Sequence, residues 1–125
     1  MKYLLESEIL YFHYKVINDY GGSHGVRDQN RLKALVAAPK QEVFGEIQYK
    51  TVHHKAAVYL RNIISDHLFV DGNKRTALLC TGIFLKRNGY VLACQQKGLE
   101  EYIVLVATQK PSIEEIATWL KEHTK

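Results

Sequence analysis

The spacing of the apolar residues constrains the fold of this chain more than any other feature of its sequence. Apolar side chains recur at every third or fourth position along most of the 125 residues, which is typical of amphipathic helices. No stretch sustains the alternation of apolar and polar residues that a half-buried strand requires. The sequence therefore predicts an all-α, or mainly α, fold in which residues 1–125 form a single domain.

Capping residues and glycines divide this pattern into about six helices. Asp28 and Thr51 can accept hydrogen bonds from a first helical turn, and Ser112 with Glu115 fits a capping box. The inward stripe of the fourth helix predicts that this helix is the central one. The predicted helices run from Ser7 to about Asp19, from Asp28 to Pro39, from Thr51 to about Asp66, from about Asn73 to Asn88, from about Leu99 to Thr108, and onward from Ser112.

The segment between Lys40 and Lys50 does not follow the helical spacing. Gly45 interrupts a short group of β-branched and aromatic residues there, which predicts a flap or a short hairpin. A surface loop that is packed by its own Phe44 is the simpler interpretation of the same residues.

Groups suited to phosphate chemistry lie where the third predicted helix ends and the fourth begins, in the stretch His67-Leu68-Phe69-Val70-Asp71-Gly72-Asn73-Lys74-Arg75. A helix that begins near Asn73 directs its free N–H groups and the positive end of its dipole toward the Gly72 turn, which makes an anion site. Lys74 supplies a point charge, and Arg75 a planar fork that can bind two phosphate oxygens.

Three further residues of the stretch complete the predicted site. Asp71 offers the hard oxygen ligands that Mg²⁺ prefers, and the imidazole of His67 makes it the expected general base. Phe69 is expected to be a structural anchor that pins the loop to the core. The alternative interpretation is a helix–helix loop with a capping Asp71 and surface cations, but the combination of groups favours a site.

Composition restricts the partners and the compartment. A net charge of +4 and a pI near 9.0 permit an anionic partner, but the basic residues are scattered and match no nucleic-acid motif, so we do not expect nucleic acid as a partner. Cys80 and Cys94 lack metal-ligand spacing and are expected to be reduced thiols. No apolar run predicts a signal peptide or a membrane span, so we expect a cytoplasmic protein with no membrane partner.

The site stretch resembles the Fic motif, whose usual form reads H-P-F-x-D/E-G-N-G-R. It is more similar to the variant found in Doc (death-on-curing) toxins, H-x-F-x-D-A/G-N-K-R-T-A, because Lys74 replaces the second glycine and Thr76-Ala77 follow. Two flanking segments also resemble Doc toxins, namely Phe84 to Gly89 and the loop from Tyr20 to Asp28. One position departs from the Doc pattern, since Ser65 stands where Doc toxins carry an arginine.

The resemblance implies a helical Fic/Doc-like fold and a bacterial or phage-encoded toxin that a separate, Phd-like antitoxin holds in check. Such a toxin transfers the γ-phosphate of ATP, with Mg²⁺, to a threonine of a translation factor, for which elongation factor Tu is the expected target. His67 and Arg75 would be catalytic, Asp71 would hold the metal ion, and Gly72, Asn73, Lys74 and Arg75 would bind the nucleotide phosphates. The flap residues Val43, Phe44, Glu46 and Ile47 would hold the target peptide by strand addition.

Two other functions fit the same residues. The first is the usual Fic reaction, in which AMP is transferred to a protein hydroxyl; Lys74 argues against it, because AMP-transferring relatives carry a glycine there. The second is a phosphate- or protein-binding module without catalysis, which the presence of both His67 and Arg75 makes the weaker interpretation.

Overall fold

The computed structural model describes residues 1–125 and contains six α-helices and one two-stranded hairpin. None of its helices has the length and the apolar run that a bilayer crossing requires. The prediction of a mainly α fold is confirmed. The elements are α1 (Glu6–Tyr20), α2 (Gln29–Ala37) with a short 3₁₀ turn after it (Ala38–Lys40), β1 (Glu42–Val43), β2 (Glu46–Ile47), α3 (Val52–Ser65), α4 (Asn73–Arg87), α5 (Gln96–Gln109) and α6 (Ile113–Glu122).

Side-chain caps set the starts of three helices as the sequence predicts. Asp28 Oδ1 accepts hydrogen bonds from the amides of Asn30 at 3.0 Å and Arg31 at 3.1 Å, so that α2 begins directly after it. Thr51 Oγ1 accepts from the amide of His54 at 3.0 Å at the start of α3. Ser112 and Glu115 form the capping box of α6.

Two helix starts were predicted too late. Helix α1 begins at Glu6 rather than at Ser7, because the amide of Leu5 donates to Glu8 Oε1 at 2.9 Å and thereby closes the first turn earlier. Helix α5 begins at Gln96 rather than near Leu99. Its first residues are polar and exposed, so the apolar spacing does not extend over them.

Helix α3 is the most enclosed helix and lies between α4 and α6. The expectation that α4 is the central helix was wrong, because more residues of α3 are buried than of α4.

An ion pair between Glu8 and Arg87 joins α1 to α4. The hydrogen bond from Arg87 lowers the pKa of Glu8, and the same bond raises the pKa of Arg87. Both cysteines are free, and burial raises the pKa of the Cys80 thiol.

The flap is a short antiparallel hairpin in which Glu42 pairs with Ile47 and Val43 with Glu46. Phe44 and Gly45 form its turn, with φ angles of 51° and 80°. Phe44 is fully exposed, so the alternative of a loop packed by this residue was wrong. The hairpin instead presents an aromatic ring and two unpaired strand edges to solvent.

Candidate active site

The loop between α3 and α4 is held against the loop between α1 and α2 by backbone hydrogen bonds. The amide of Arg27 donates to the carbonyl of Leu68 at 2.7 Å, and the amide of Val70 donates to the carbonyl of Gly25 at 3.0 Å. These bonds form a single antiparallel bridge between Val26 and Phe69. The site loop therefore has the support of a short ladder, although neither segment is a strand.

Within this loop, the side chain of Phe69 is almost completely buried. Its ring stacks on the imidazole of His13 in α1, with centroids 3.8 Å apart and the ring planes 5° from parallel. The side-chain amide of Asn73 makes two hydrogen bonds to the backbone of Phe69. Its Oδ1 accepts from the Phe69 amide at 3.0 Å, and its Nδ2 donates to the Phe69 carbonyl at 2.9 Å. The side chain of Asn73 thus holds the loop, and its backbone N–H remains for an anion.

His13 supports the loop from α1. Its Nε2 donates a hydrogen bond of 2.8 Å to the backbone carbonyl of Asp71. Burial lowers the pKa of His13, while the hydrogen bond to Asp71 acts in the opposite direction. The buried ring is therefore favoured as the neutral form, which still carries the proton that this bond needs.

Asp71 is fixed by two backbone amides. Its Oδ1 accepts from the amide of Gly72 at 2.9 Å, and its Oδ2 accepts from the amide of Ser23 at 3.2 Å. Gly22 permits this contact, because a Cβ at that position would lie 2.6 Å from Asp71 Oδ2. The carboxylate is oriented before any ligand binds, and each of its oxygens keeps a free lone pair.

Asp71 fits the way in which Mg²⁺ binds beside phosphates. The structure contains no cluster of three or more acidic, histidine or cysteine side chains that could enclose a metal ion. Mg²⁺ commonly needs no such cluster, since it keeps several waters and binds through one or two carboxylates together with substrate phosphates. Asp71 would be the protein ligand of such an ion.

The N-terminus of α4 has the geometry that the predicted anion site requires. Gly72 adopts a left-handed conformation, with φ of 76°, and no side chain caps the helix. The amides of the first turn therefore have no side-chain partner, in contrast to α2, α3 and α6. Lys74 and Arg75 are exposed, and neither takes part in an ion pair. The guanidinium of Arg75 lies over the ring of Tyr20, 4.0 Å from its centroid.

A cavity of about 680 Å³ brings most of the predicted site residues together. His67 turns into this cavity from a left-handed backbone conformation with φ of 46°. Part of α5 and the residue that follows it form another wall. The chemically active lining residues are His67, Asp71, Gly72, Asn73, Lys74, Arg75 and Lys110, and the lining also includes Ser65, Tyr20, Val104, Ala107 and Thr108.

The flap residues are not part of this lining. Val43, Phe44, Glu46 and Ile47 are all exposed on the hairpin, and none of them borders the cavity. Sequence reasoning also missed three residues at the site: His13 and Ser23, which fix Asp71, and Lys110, which lines the cavity. The glycines around Ser23 were the only local signal for any of them.

Comparison with known proteins identifies the family of this chain. A model of the Fic/DOC family matches residues 3–85. A protein named Toxin Doc from Mycolicibacterium smegmatis is 38% identical over 103 residues, which cover 81% of this chain and 79% of that protein. A protein named Protein kinase doc from Escherichia phage P1 is 31% identical over 121 residues, which cover 97% of this chain and 94% of that protein. The chain therefore belongs to the Fic/Doc family, as the family model and these two relatives show.

Proposed function

We propose that this chain transfers the γ-phosphate of ATP to a hydroxyl group of a protein. The observation that carries the proposal is the cavity in which His67, Asp71, the uncapped start of α4, Lys74 and Arg75 meet. Its volume of about 680 Å³ lies within the usual range for a small-molecule site. The relative named Protein kinase doc, which aligns over nearly the whole chain, supports this choice of reaction.

Phosphoryl transfer depends mainly on positioning and on charge stabilisation. His67 accepts the proton of the target hydroxyl while its oxygen bonds to the γ-phosphorus. The bond from that phosphorus to the β,γ-bridging oxygen breaks, and ADP leaves with the electron pair. The amides at the start of α4, together with Lys74 and Arg75, stabilise the charge on the phosphoryl oxygens. A magnesium ion on Asp71 would neutralise further charge on the phosphates.

Lys74 favours phosphoryl transfer over AMP transfer. Its side chain lines the cavity next to the amides at the start of α4, where a glycine would leave the backbone open to a nucleotide. A cation at this point occupies that surface and adds charge for a terminal phosphate. AMP transfer to the same hydroxyl is therefore the second candidate.

The proposed target and partner rest on the resemblance of this chain to Doc toxins. The name Toxin Doc indicates a toxin, and we infer that this chain is the toxin of a toxin–antitoxin pair with a Phd-like antitoxin. We take a threonine of elongation factor Tu as the target, so that the modification stops translation in the cytoplasm, where ATP and translation factors are found. Residues 1–125 would act as one catalytic domain.

The exposed hairpin is proposed to dock the target peptide by strand addition. Phe44 would then be a contact for the target and not for ATP, because it is fully exposed and lies outside the cavity lining. We expect Phe44→Ser to raise the KM for the protein target several-fold and to leave ATP affinity unchanged. Unchanged steady-state kinetics with the target would remove the hairpin from this role.

Labelled ATP distinguishes the two reactions. The protein is incubated with purified elongation factor Tu, or with a bacterial lysate, and with ATP labelled either at the γ-phosphate or at the α-phosphate. Transfer of the γ-label alone, with loss of transfer in His67→Ala, supports the proposal. Transfer of the α-label establishes AMP transfer instead. Absence of both labels from every protein, with the wild-type chain folded, would favour a binding module.

A further inference from the structure

One cation of the cavity comes from outside the site loop. Helix α5 ends at Gln109, and Lys110 follows at its C-cap position. Lys110 lines the same cavity as His67, Lys74 and Arg75, together with Val104, Ala107 and Thr108 of α5. It is exposed and takes part in none of the ion pairs of the protein. Its ammonium group is therefore available to a ligand in the cavity.

The backbone of Lys110 adopts a conformation that favours glycine. Its φ of 49° and ψ of 58° are left-handed, and its amide donates to the carbonyl of Val106 at 3.2 Å to close the helix. Glycine or asparagine takes this position with less strain than lysine. A lysine is thus placed where the helix end alone would favour another residue, and strained residues of this kind are often found at functional sites.

The other charged residues of the cavity do not make a further cation redundant. Asp71 contributes a negative charge on the side where the phosphates would bind, and Ser65 on the cavity wall contributes none. Lys74 and Arg75 both belong to the first turn of α4 and approach a ligand from one element. A third cation, at the end of α5, would contact the polyphosphate from a second element. It would orient the polyphosphate in the cavity and also balance part of its negative charge.

We propose that Lys110 binds phosphate oxygens of the nucleoside triphosphate and is a nucleotide-binding residue of this site; the inference rests on the proposed function. Its side chain acts as a flexible point charge with three N–H donors. Lysine near a helix C-terminus also interacts favourably with the helix dipole, which would be a structural role alone. The two roles predict different nucleotide affinity and stability for variants that remove the charge and suit the left-handed backbone.

The variants Lys110→Asn and Lys110→Gly remove the charge and suit the left-handed backbone. The affinity for a non-hydrolysable ATP analogue with Mg²⁺ is measured by calorimetry at low and at high salt. We expect both variants to weaken binding about tenfold, the effect of one charge-assisted contact. Their affinities should also depend less on salt than that of the wild type. Lys110→Arg should retain most of the affinity.

The matched control is Lys97→Asn, which removes a cation from α5 at an exposed position outside the cavity lining. It should leave the affinity unchanged. Thermal unfolding provides a second readout, since Lys110→Gly should unfold at a temperature equal to or a few degrees above that of the wild type while it binds the analogue more weakly. A purely structural role predicts lower stability and unchanged binding.

Failure of this inference differs from failure of the proposed function. If the wild type binds the analogue and transfers the γ-label, but Lys110→Asn and Lys110→Gly bind as tightly as Lys97→Asn, only the role of Lys110 is overturned. If the wild type neither binds the analogue nor transfers the label, the proposed function fails and the role of Lys110 fails with it.

Discussion

Replacing His13 by phenylalanine would test how the site loop is held. Phenylalanine can keep the stack on Phe69, whose ring lies 3.8 Å from that of His13, but it has no group to donate to the carbonyl of Asp71. His13→Gln makes the opposite change, because an amide N–H can reach the carbonyl while the aromatic stack is lost. The pair of variants therefore separates the hydrogen bond from the stack.

The magnitude follows from the burial of this contact. His13 is 4% exposed and its hydrogen bond to the Asp71 carbonyl is partly buried, so a phenyl ring in its place would keep water from that side of the carbonyl. An unpaired buried acceptor costs about 1–3 kcal/mol, and an aromatic stack contributes about 0.5–1.5 kcal/mol beyond its buried area. We expect His13→Phe to lose about 1–3 kcal/mol of unfolding free energy, His13→Gln less, and His13→Ala more than either.

The same substitution should affect catalysis through the metal site. His13 bonds the backbone of the residue whose carboxylate is proposed to hold Mg²⁺, so a shifted loop would move that carboxylate. His13→Phe should raise the Mg²⁺ concentration that gives half-maximal γ-phosphate transfer, and His13→Gln should restore it toward the wild-type value. A role for His13 in packing alone would predict reduced stability with an unchanged Mg²⁺ dependence.

The pH dependence has a definite sign. Burial lowers the pKa of His13 below its ordinary value of 6.5, and the pKa of His53 is lowered chiefly by burial as well. Below pH 6.5 the unfolded chain therefore binds more protons than the folded one, and stability falls as the pH drops through the folded pKa. Above pH 6.5 this contribution is fully present.

His13→Phe removes the contribution of His13 and leaves that of His53. The difference in unfolding free energy between wild type and His13→Phe should therefore narrow as the pH falls from 7 to 5, at most by about 1.4 kcal/mol per pH unit. Urea unfolding at several pH values measures it, with Tyr14→Phe on the same helix as the control. Equal stability of His13→Phe and wild type at pH 7, or a constant difference at lower pH, would refute this account.

Three further predictions concern the residues of the site loop. His67→Ala should reduce the transfer rate by roughly 10²- to 10⁴-fold and leave the thermal unfolding midpoint unchanged, since it removes an exposed base; normal turnover in the folded variant would contradict the assignment. Asp71→Asn should abolish the stimulation by Mg²⁺ in a metal titration, whereas a wild-type protein that is fully active in excess chelator would exclude the metal role. Lys74→Gly should lose γ-label transfer and gain weak α-label transfer on one gel with both labels, and full retention of γ-label transfer would show that Lys74 does not set the reaction.

Local signals account for the part of the fold that the sequence predicts. Asp28, Thr51 and Ser112 each bond amides within the next few residues, so the start of each helix is encoded where it occurs. The starts of α1 and α5 are different, because α1 closes through a glutamate at its third position and no side chain caps α5. The order of burial among α3 and α4 depends on which helices pack around them, which no single helix encodes.

The part of the candidate site that the sequence predicts lies in one continuous stretch. His67, Asp71, Lys74 and Arg75 are close in sequence, and the helix start brings them to one cavity. His13, Ser23 and Lys110 come from other parts of the chain, and each reaches the site only when the helices pack. A histidine in an amphipathic helix or a lysine after one has many ordinary explanations, so residue type alone could not identify them.

The structure divides the motif into residues that face the cavity and residues that hold the loop. Leu68 and Phe69 are buried in the core, and the side-chain amide of Asn73 is hydrogen-bonded to the backbone of Phe69. His67 has a left-handed backbone, which costs a non-glycine residue roughly 1–2 kcal/mol, so the loop would relax if these supports were absent. Anchoring by side chains that pack in the core or bond the loop backbone is therefore what keeps His67 in the cavity. Asn73→Ala should accordingly lower the transfer rate through His67, because both polar atoms of the Asn73 side chain hold the backbone of Phe69.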